Sequence, residues 1–333
     1  MVDGGTGVTL RTVRWGNPAE ASAAPLVLIH GLASNAMLWE GAALEFASLG
    51  HPVVAVDLRG HGLSEKPDSG YDMQTVTNDV AGVLRVLASQ GYERPVVAGQ
   101  SWGGNVVVEL AHVFPELVRG VVAVDGGFLE LQEHFPQWEE CSVKLRPPNL
   151  LGTPVARMRG YMESAHSDWP KTGIDGSMAN FEQLQDGTIR PWLTLERHLM
   201  VLRGLWEHRP THIYKDISVP VMFVPAEGPG GVFSDTKRQA VERALHSVPK
   251  VRVEWFSPAE ILIQATSNNA ELLAMSGPCN PYPGKLGVIK TDALADILLV
   301  KGDPTKDLTL FHDSENNISL IMKDGKIYKN TLK

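Results

Sequence analysis

Cysteine is almost absent: the 333 residues contain only Cys141 and Cys279, and no metal-ligand spacing joins them. Two unpaired thiols in a reducing compartment are expected, not a disulfide framework. Long apolar runs are also missing. None reaches the roughly 18 residues that a membrane span needs. The start, Met1-Val2-Asp3-Gly4-Gly5, has neither the basic opening nor the apolar stretch of a signal peptide. Basic blocks are lacking too. Lys and Arg number 30 against 38 Asp and Glu, for a formal net charge of -8, which argues against nucleic acid or an anionic membrane surface as a partner. No period of repeat-protein length is visible. A cytoplasmic chain is expected, with no membrane and no nucleic-acid partner and its oligomeric state left open. Its 43% hydrophobic content is enough for a sizeable core.

Short apolar runs alternate with amphipathic stretches, the pattern of a mostly parallel, doubly wound α/β sheet. Residues 8–15 alternate apolar and polar, as a half-exposed antiparallel edge strand does. Residues 25–30, 52–57, 95–99, 120–125 and 220–225 are continuous apolar runs, suited to strands buried on both faces. Val76, Val80, Val83, Leu84 and Leu87 share one face of a helix predicted over 73–90. From about 128 to 209 strand signals stop. Phe128, Phe135, Trp138, Trp169, Phe181, Trp192 and Trp206 stand here with helical spacing, which reads as a helical cap over the sheet. Beyond 258 the composition changes. A helix is expected over 260–275, a strand over 295–300, and a hairpin with arms 318–323 and 326–329 joined at Asp324-Gly325.

The strongest motif is Gly99-Gln100-Ser101-Trp102-Gly103, placed between a buried strand and a helix predicted over 102–113. On so tight a turn the residues two before and two after the serine must be tiny, and the hydroxyl is pushed clear of the backbone. The following helix start offers unpaired N–H groups to a developing oxyanion. His30-Gly31-Leu32 ends the first apolar run and sets the Leu32 N–H beside that of Trp102 as a candidate oxyanion hole. His30 reads as structural. Asp57-Leu58-Arg59-Gly60-His61-Gly62-Leu63-Ser64 reads as a scaffold loop.

With this order of motifs, residues 8–258 resemble the α/β-hydrolase fold superfamily, in its cap-bearing, esterase-like branch. The resemblance implies a core over 1–128 and 213–258 with a helical cap at 129–212. It also implies a nucleophile, an acid and a histidine in that chain order. Members that act as haloalkane dehalogenases or epoxide hydrolases carry Asp at the nucleophile position, so Ser101 favours ester, thioester, lactone or C–C bond hydrolysis. A serine hydroxyl needs an imidazole to take its proton, and the imidazole needs a carboxylate. Asp125 and Glu227 both follow strand runs where the family places its acid. Asp125 is preferred, because Pro229 stands where the commoner site would have its Asp. After the last core strand, 251–256, no histidine follows until His312, so no general base is assigned.

The tail, 259–333, resembles a different family. Ala265-Thr266-Ser267-Asn268-Asn269-Ala270, Gly284-Lys285-Leu286-Gly287, Ala293-Leu294-Ala295-Asp296 and Met322-Lys323-Asp324-Gly325-Lys326 are similar to the C-terminal end of metal-dependent amidohydrolases. Metal ligands in that family lie upstream, in a barrel this chain lacks, so no metal site and no cofactor is expected. A fusion of two unrelated fragments accounts for the junction. Three functions follow: a serine hydrolase of small carboxylic esters or lactones, impaired by its missing base; an inactive scaffold that binds a small apolar ligand; and, disfavoured by the absent barrel, a metal-dependent amidohydrolase.

Overall fold

The structure, a computed structural model, describes residues 1–167, 169–226, 234–255, 262, 265, 266, 270, 284–311 and 313–332. These fall into two compact units, one of residues 1–225 and 235–254, the other of residues 226–234 and 255–333.

A seven-stranded sheet organises the first unit. Two short strands, β1 (Val2–Asp3) and β2 (Thr9–Leu10), pair with each other outside it. The sheet itself is built from β3 (Thr12–Trp15), β4 (Leu26–Ile29), β5 (Val53–Val56), β6 (Val96–Gln100) and β7 (Gly120–Val124). It is completed by β10 (Val221–Val224) and β11 (Val251–Val253) in the spatial order β11-β10-β7-β6-β4-β5-β3. Only β3 runs antiparallel, on the edge beside β5. The sheet is mostly parallel and wrapped by helices, as the strand runs implied. The stretch 8–15 is not one strand, however. At Arg11 the N–H goes to Ser64 Oγ and the carbonyl to the Asp57 N–H, and this breaks the ladder into β2 and β3.

Helices α1 (Glu40–Ser48), α2 (Met73–Ala88), α3 (Trp102–Val113) and α9 (Ser234–Ser247) accompany these strands. In α2 the five predicted core positions are all buried. The carboxylate of Asp72 caps its start by accepting from the Thr75 N–H at 2.9 Å.

Between β7 and β10 lie helices α4 (Leu131–His134), α5 (Trp138–Lys144), α6 (Val155–Ala165), α7 (Lys171–Met178) and α8 (Leu195–Glu207). They are not alone, and here the purely helical reading is corrected. Strands β8 (Phe181–Gln183) and β9 (Ile189–Pro191) form an antiparallel hairpin. Its turn contains Asp186 and Gly187, the glycine at φ 80°, and it buries Phe181 and Ile189. Asp-Gly between apolar residues was present in the sequence as a hairpin signal.

In the second unit β12 (Ile297–Val300), β13 (Ile318–Lys323) and β14 (Lys326–Asn330) form an antiparallel sheet. The Asp324-Gly325 joint has both residues at positive φ, 47° and 73°, the conformation a two-residue hairpin requires. A short helix α10 (Ser314–Asn317) precedes β13. The helix expected over 260–275 lies outside the described residues. No helix among the described residues is long and apolar enough to cross a membrane.

Candidate active site

Ser101 stands between β6 and α3 with φ 53° and ψ -119°, a backbone conformation that a side chain-bearing residue rarely adopts. Close packing on either side maintains the bend. A Cβ on Gly99 would come 2.0 Å from the Gly103 carbonyl oxygen, and one on Gly103 would come 2.4 Å from that of His30. The Ser101 N–H donates to the Val124 carbonyl at 2.8 Å, and its own carbonyl accepts from the Gly104 N–H at 2.8 Å. An ordinary serine in front of a helix caps it through the side-chain oxygen. Ser101 makes no such bond, so its hydroxyl is not consumed in holding α3.

Two amides face no acceptor among the described residues: nothing there receives a hydrogen bond from the N–H of Leu32 or of Trp102. Gly31 brings its turn against the serine: a Cβ there would lie 3.2 Å from Ser101 Cβ and 2.4 Å from Gln100 Oε1. Asp57 ties the chain a few residues beyond that turn to the loop after β5. Its fully buried carboxylate accepts from the Ala36 N–H at 2.7 Å and the Leu63 N–H at 3.0 Å, and it pairs with Arg11 at 3.1 Å.

Two buried imidazoles sit beside Trp102. His30 uses both nitrogens: Nε2 accepts from the Leu58 N–H at 3.0 Å, so Nδ1 carries the proton and donates to the Gly31 carbonyl at 2.8 Å. His61 donates from Nδ1 to the Arg59 carbonyl at 2.8 Å, while its Nε2 has no partner among the described residues. Its ring stacks on Trp102 with centroids 5.4 Å apart. Burial lowers the pKa of both; that of His61 falls well below the usual imidazole value, helped by the neighbouring His30.

Asp125 directly follows β7, at φ 44°. Its turn lies against the serine, since a Cβ on Gly126 would come 2.1 Å from the Ser101 carbonyl oxygen. The carboxylate forms an ion pair with Lys237 at 2.8 Å, a partner that sequence reasoning missed. Glu227 and His312 lie outside the described residues. None of the described histidine rings hydrogen-bonds to Ser101. His208, the most committed of them, accepts from Asn105 at 3.0 Å and donates to Glu109 at 3.1 Å. Asn105 was also missed: it is fully buried on α3, and it accepts from the Gly127 N–H and donates to the Leu129 carbonyl, both at 2.8 Å. The available signal was a lone amide in the apolar first two turns of the helix, Trp102 to Val108.

A cavity of about 700 Å³ is lined by Ala33, Ser34, His61 and Gly62 and by residues of the segment between β7 and β10, Phe181 and Trp192 among them. Ser101 is not in its lining; the cavity meets the serine's surroundings through the 33–34 segment after Leu32 and through His61. Of the aromatic residues singled out between 128 and 209, only Phe181 and Trp192 line it. Trp138 and Trp206 pack edge to face against each other, Trp169 stacks on His166, and Phe128 packs on Phe223 beneath. Among the described residues no group of three or more His, Cys, Asp or Glu side chains is arranged to hold a metal ion.

Residues 24–179 match the family model of the alpha/beta hydrolase fold. The chain is similar to 2-(acetamidomethylene)succinate hydrolase from Mesorhizobium japonicum, 29% identical over 213 residues, covering 63% of this chain and 73% of that one. An esterase from Mycobacterium tuberculosis is 38% identical over 126 residues, covering 38% of this chain but only 39% of its own length. Among solved structures, an E-2-(acetamidomethylene)succinate hydrolase superposes with a TM-score of 0.63 at 25% identity, covering 83% of this chain and 96% of that one.

Proposed function

We propose that this chain, whose fold is that of the α/β-hydrolases, is a serine hydrolase of small carboxylic esters or lactones with Ser101 as nucleophile. The observation that carries this reading is the conjunction at position 101. A strained backbone lifts a hydroxyl that caps nothing, beside two amides with no acceptor among the described residues. In the reaction Ser101 Oγ attacks the carbonyl carbon and the carbonyl oxygen takes up the negative charge. The N–H groups of Leu32 and Trp102 donate to that oxyanion. Collapse expels the alcohol and leaves an acyl-serine; water then attacks it, restoring the hydroxyl and releasing the acid. Asp125 is the proposed acid, and the general base is left unassigned. Hydrolase chemistry agrees with the relatives' activities, and a small-molecule substrate agrees with the cavity's size.

A second reading, an inactive scaffold that binds a small ligand, is favoured by one observation: the Asp125 carboxylate is already paired with Lys237 at 2.8 Å. A chromogenic assay with 4-nitrophenyl butyrate on the wild type and Ser101→Ala separates the two. Loss of about 10³-fold or more in kcat/KM on substitution is expected for a serine hydrolase. Equal rates for the two proteins favour the scaffold.

A further inference from the structure

The cavity has a charge bias opposite to that of the chain. The protein carries a net charge of -8, yet among the described residues no Asp or Glu lines the cavity, and the charged side chains in its lining are those of Arg146 and Arg190. Arg190 is already committed, donating from Nε to Glu182 at 2.7 Å. The Arg146 guanidinium has no hydrogen bond or ion pair with any described residue. A third cation lies directly behind the lining. The Lys66 ammonium donates to the carbonyls of Gly62 and Ser64, both at 2.8 Å, and sits 4.8 Å from the centre of the Trp192 ring. Gly62 and Trp192 both line the cavity. The remaining walls are largely apolar, with Leu150, Met162, Phe181 and Leu193 among them, and an apolar wall strengthens any ion contact made beside it.

We propose that this cavity selects a substrate that carries a carboxylate, with Arg146 as the group that holds it. A free guanidinium fork matches a carboxylate with two parallel N–H···O bonds. The apolar walls take the carbon chain between that carboxylate and the scissile carbonyl. The inference rests on the serine-hydrolase reading for its chemistry, but the recognition it describes can be measured without turnover.

The test uses two esters of equal chain length, 4-nitrophenyl hexanoate and mono-4-nitrophenyl adipate, on wild type, Arg146→Gln and Arg146→Lys. The wild type is expected to favour the adipate. In Arg146→Gln the adipate-to-hexanoate ratio of kcat/KM should fall about tenfold, through KM, as loss of one charge-assisted contact implies. Arg146→Lys should recover part of that ratio. Raising the ionic strength from 0.05 to 0.5 M should lower the ratio in the wild type. No preference for the adipate, or an equal ratio in wild type and Arg146→Gln, overturns the proposal. Adipate is also titrated by calorimetry into Ser101→Ala and into Ser101→Ala/Arg146→Gln. Saturable binding to the first and loss of it in the second supports the anion site even if Ser101→Ala keeps its esterase rate, an outcome that defeats only the parent reading. Absence of adipate binding to Ser101→Ala overturns the anion site while leaving the parent reading to its own assay.

Discussion

Acidification from pH 7 to pH 5 is expected to destabilise the fold through the buried imidazoles beside the nucleophile. His30 and His61 are each about 1% exposed, and burial depresses the pKa of both in the folded state. The unfolded chain therefore binds protons first. Stability is complete above the ordinary imidazole value of 6.5 and is lost as pH falls from there towards the folded-state values. Each group that is protonated only when unfolded contributes a slope of about 1.4 kcal/mol per pH unit. Where both remain neutral the loss approaches about 2.7 kcal/mol per unit, a large part of a typical folding free energy of about 5–15 kcal/mol. His61 is depressed further, so its share should persist to lower pH than that of His30. His198, also buried and also lowered by that burial, adds to the wild-type slope, and comparison with a variant removes it. Carboxylates held below their usual range, such as Asp72 and Asp175, titrate beneath this window. The assay is urea denaturation at intervals from pH 7.5 to 5 on the wild type and His61→Asn. The variant should be less stable at neutral pH, because it loses the stack on Trp102. Its slope between pH 6 and 5 should be shallower by about 1.4 kcal/mol per unit. Parallel slopes for the two proteins would refute the assignment of a buried neutral imidazole at position 61.

Asn105→Leu leaves the Gly127 N–H, the Leu129 carbonyl and His208 Nδ1 without their shared partner; a loss of about 2–4 kcal/mol in urea unfolding is expected. Gly103→Ala sets a methyl group against the carbonyl oxygens of His30 and Ile29 at 2.4 and 2.8 Å, so a destabilisation of about 1–3 kcal/mol or more is expected in thermal melts, with loss of any esterase rate. Lys237→Met removes the ion-pair partner of Asp125. If Asp125 serves as the acid, the pH profile of ester hydrolysis should shift in this variant, whereas an unchanged profile argues against that role.

Local geometry made part of this molecule legible in advance. The elbow could be located because Gly99 and Gly103 must meet within van der Waals range, a demand confined to five consecutive residues. The Asp324-Gly325 hairpin was legible for the same reason, its two positive φ angles being a property of the dipeptide. What escaped notice depends on distant chain. Lys237 reaches Asp125 across 112 positions and His208 reaches Asn105 across 103, and no periodicity encodes either meeting. Arg146 gives no sequence signal as a cavity residue, since an arginine before two prolines reads as a solvated turn. The β8–β9 hairpin is a different case: Asp186-Gly187 announced it, but the density of aromatic residues around it favoured helices. The break at Arg11 arose because Asp57 and Ser64, on the following loop, claim its backbone groups in place of a neighbouring strand.

The most direct measurement is active-site titration with a fluorophosphonate, followed by intact mass and peptide mapping. One phosphonyl adduct per chain, located on Ser101 and absent from Ser101→Ala, is the expected result. A protein that stays unmodified at concentrations labelling ordinary serine esterases, or an adduct carried by another residue, would contradict a reactive hydroxyl at position 101.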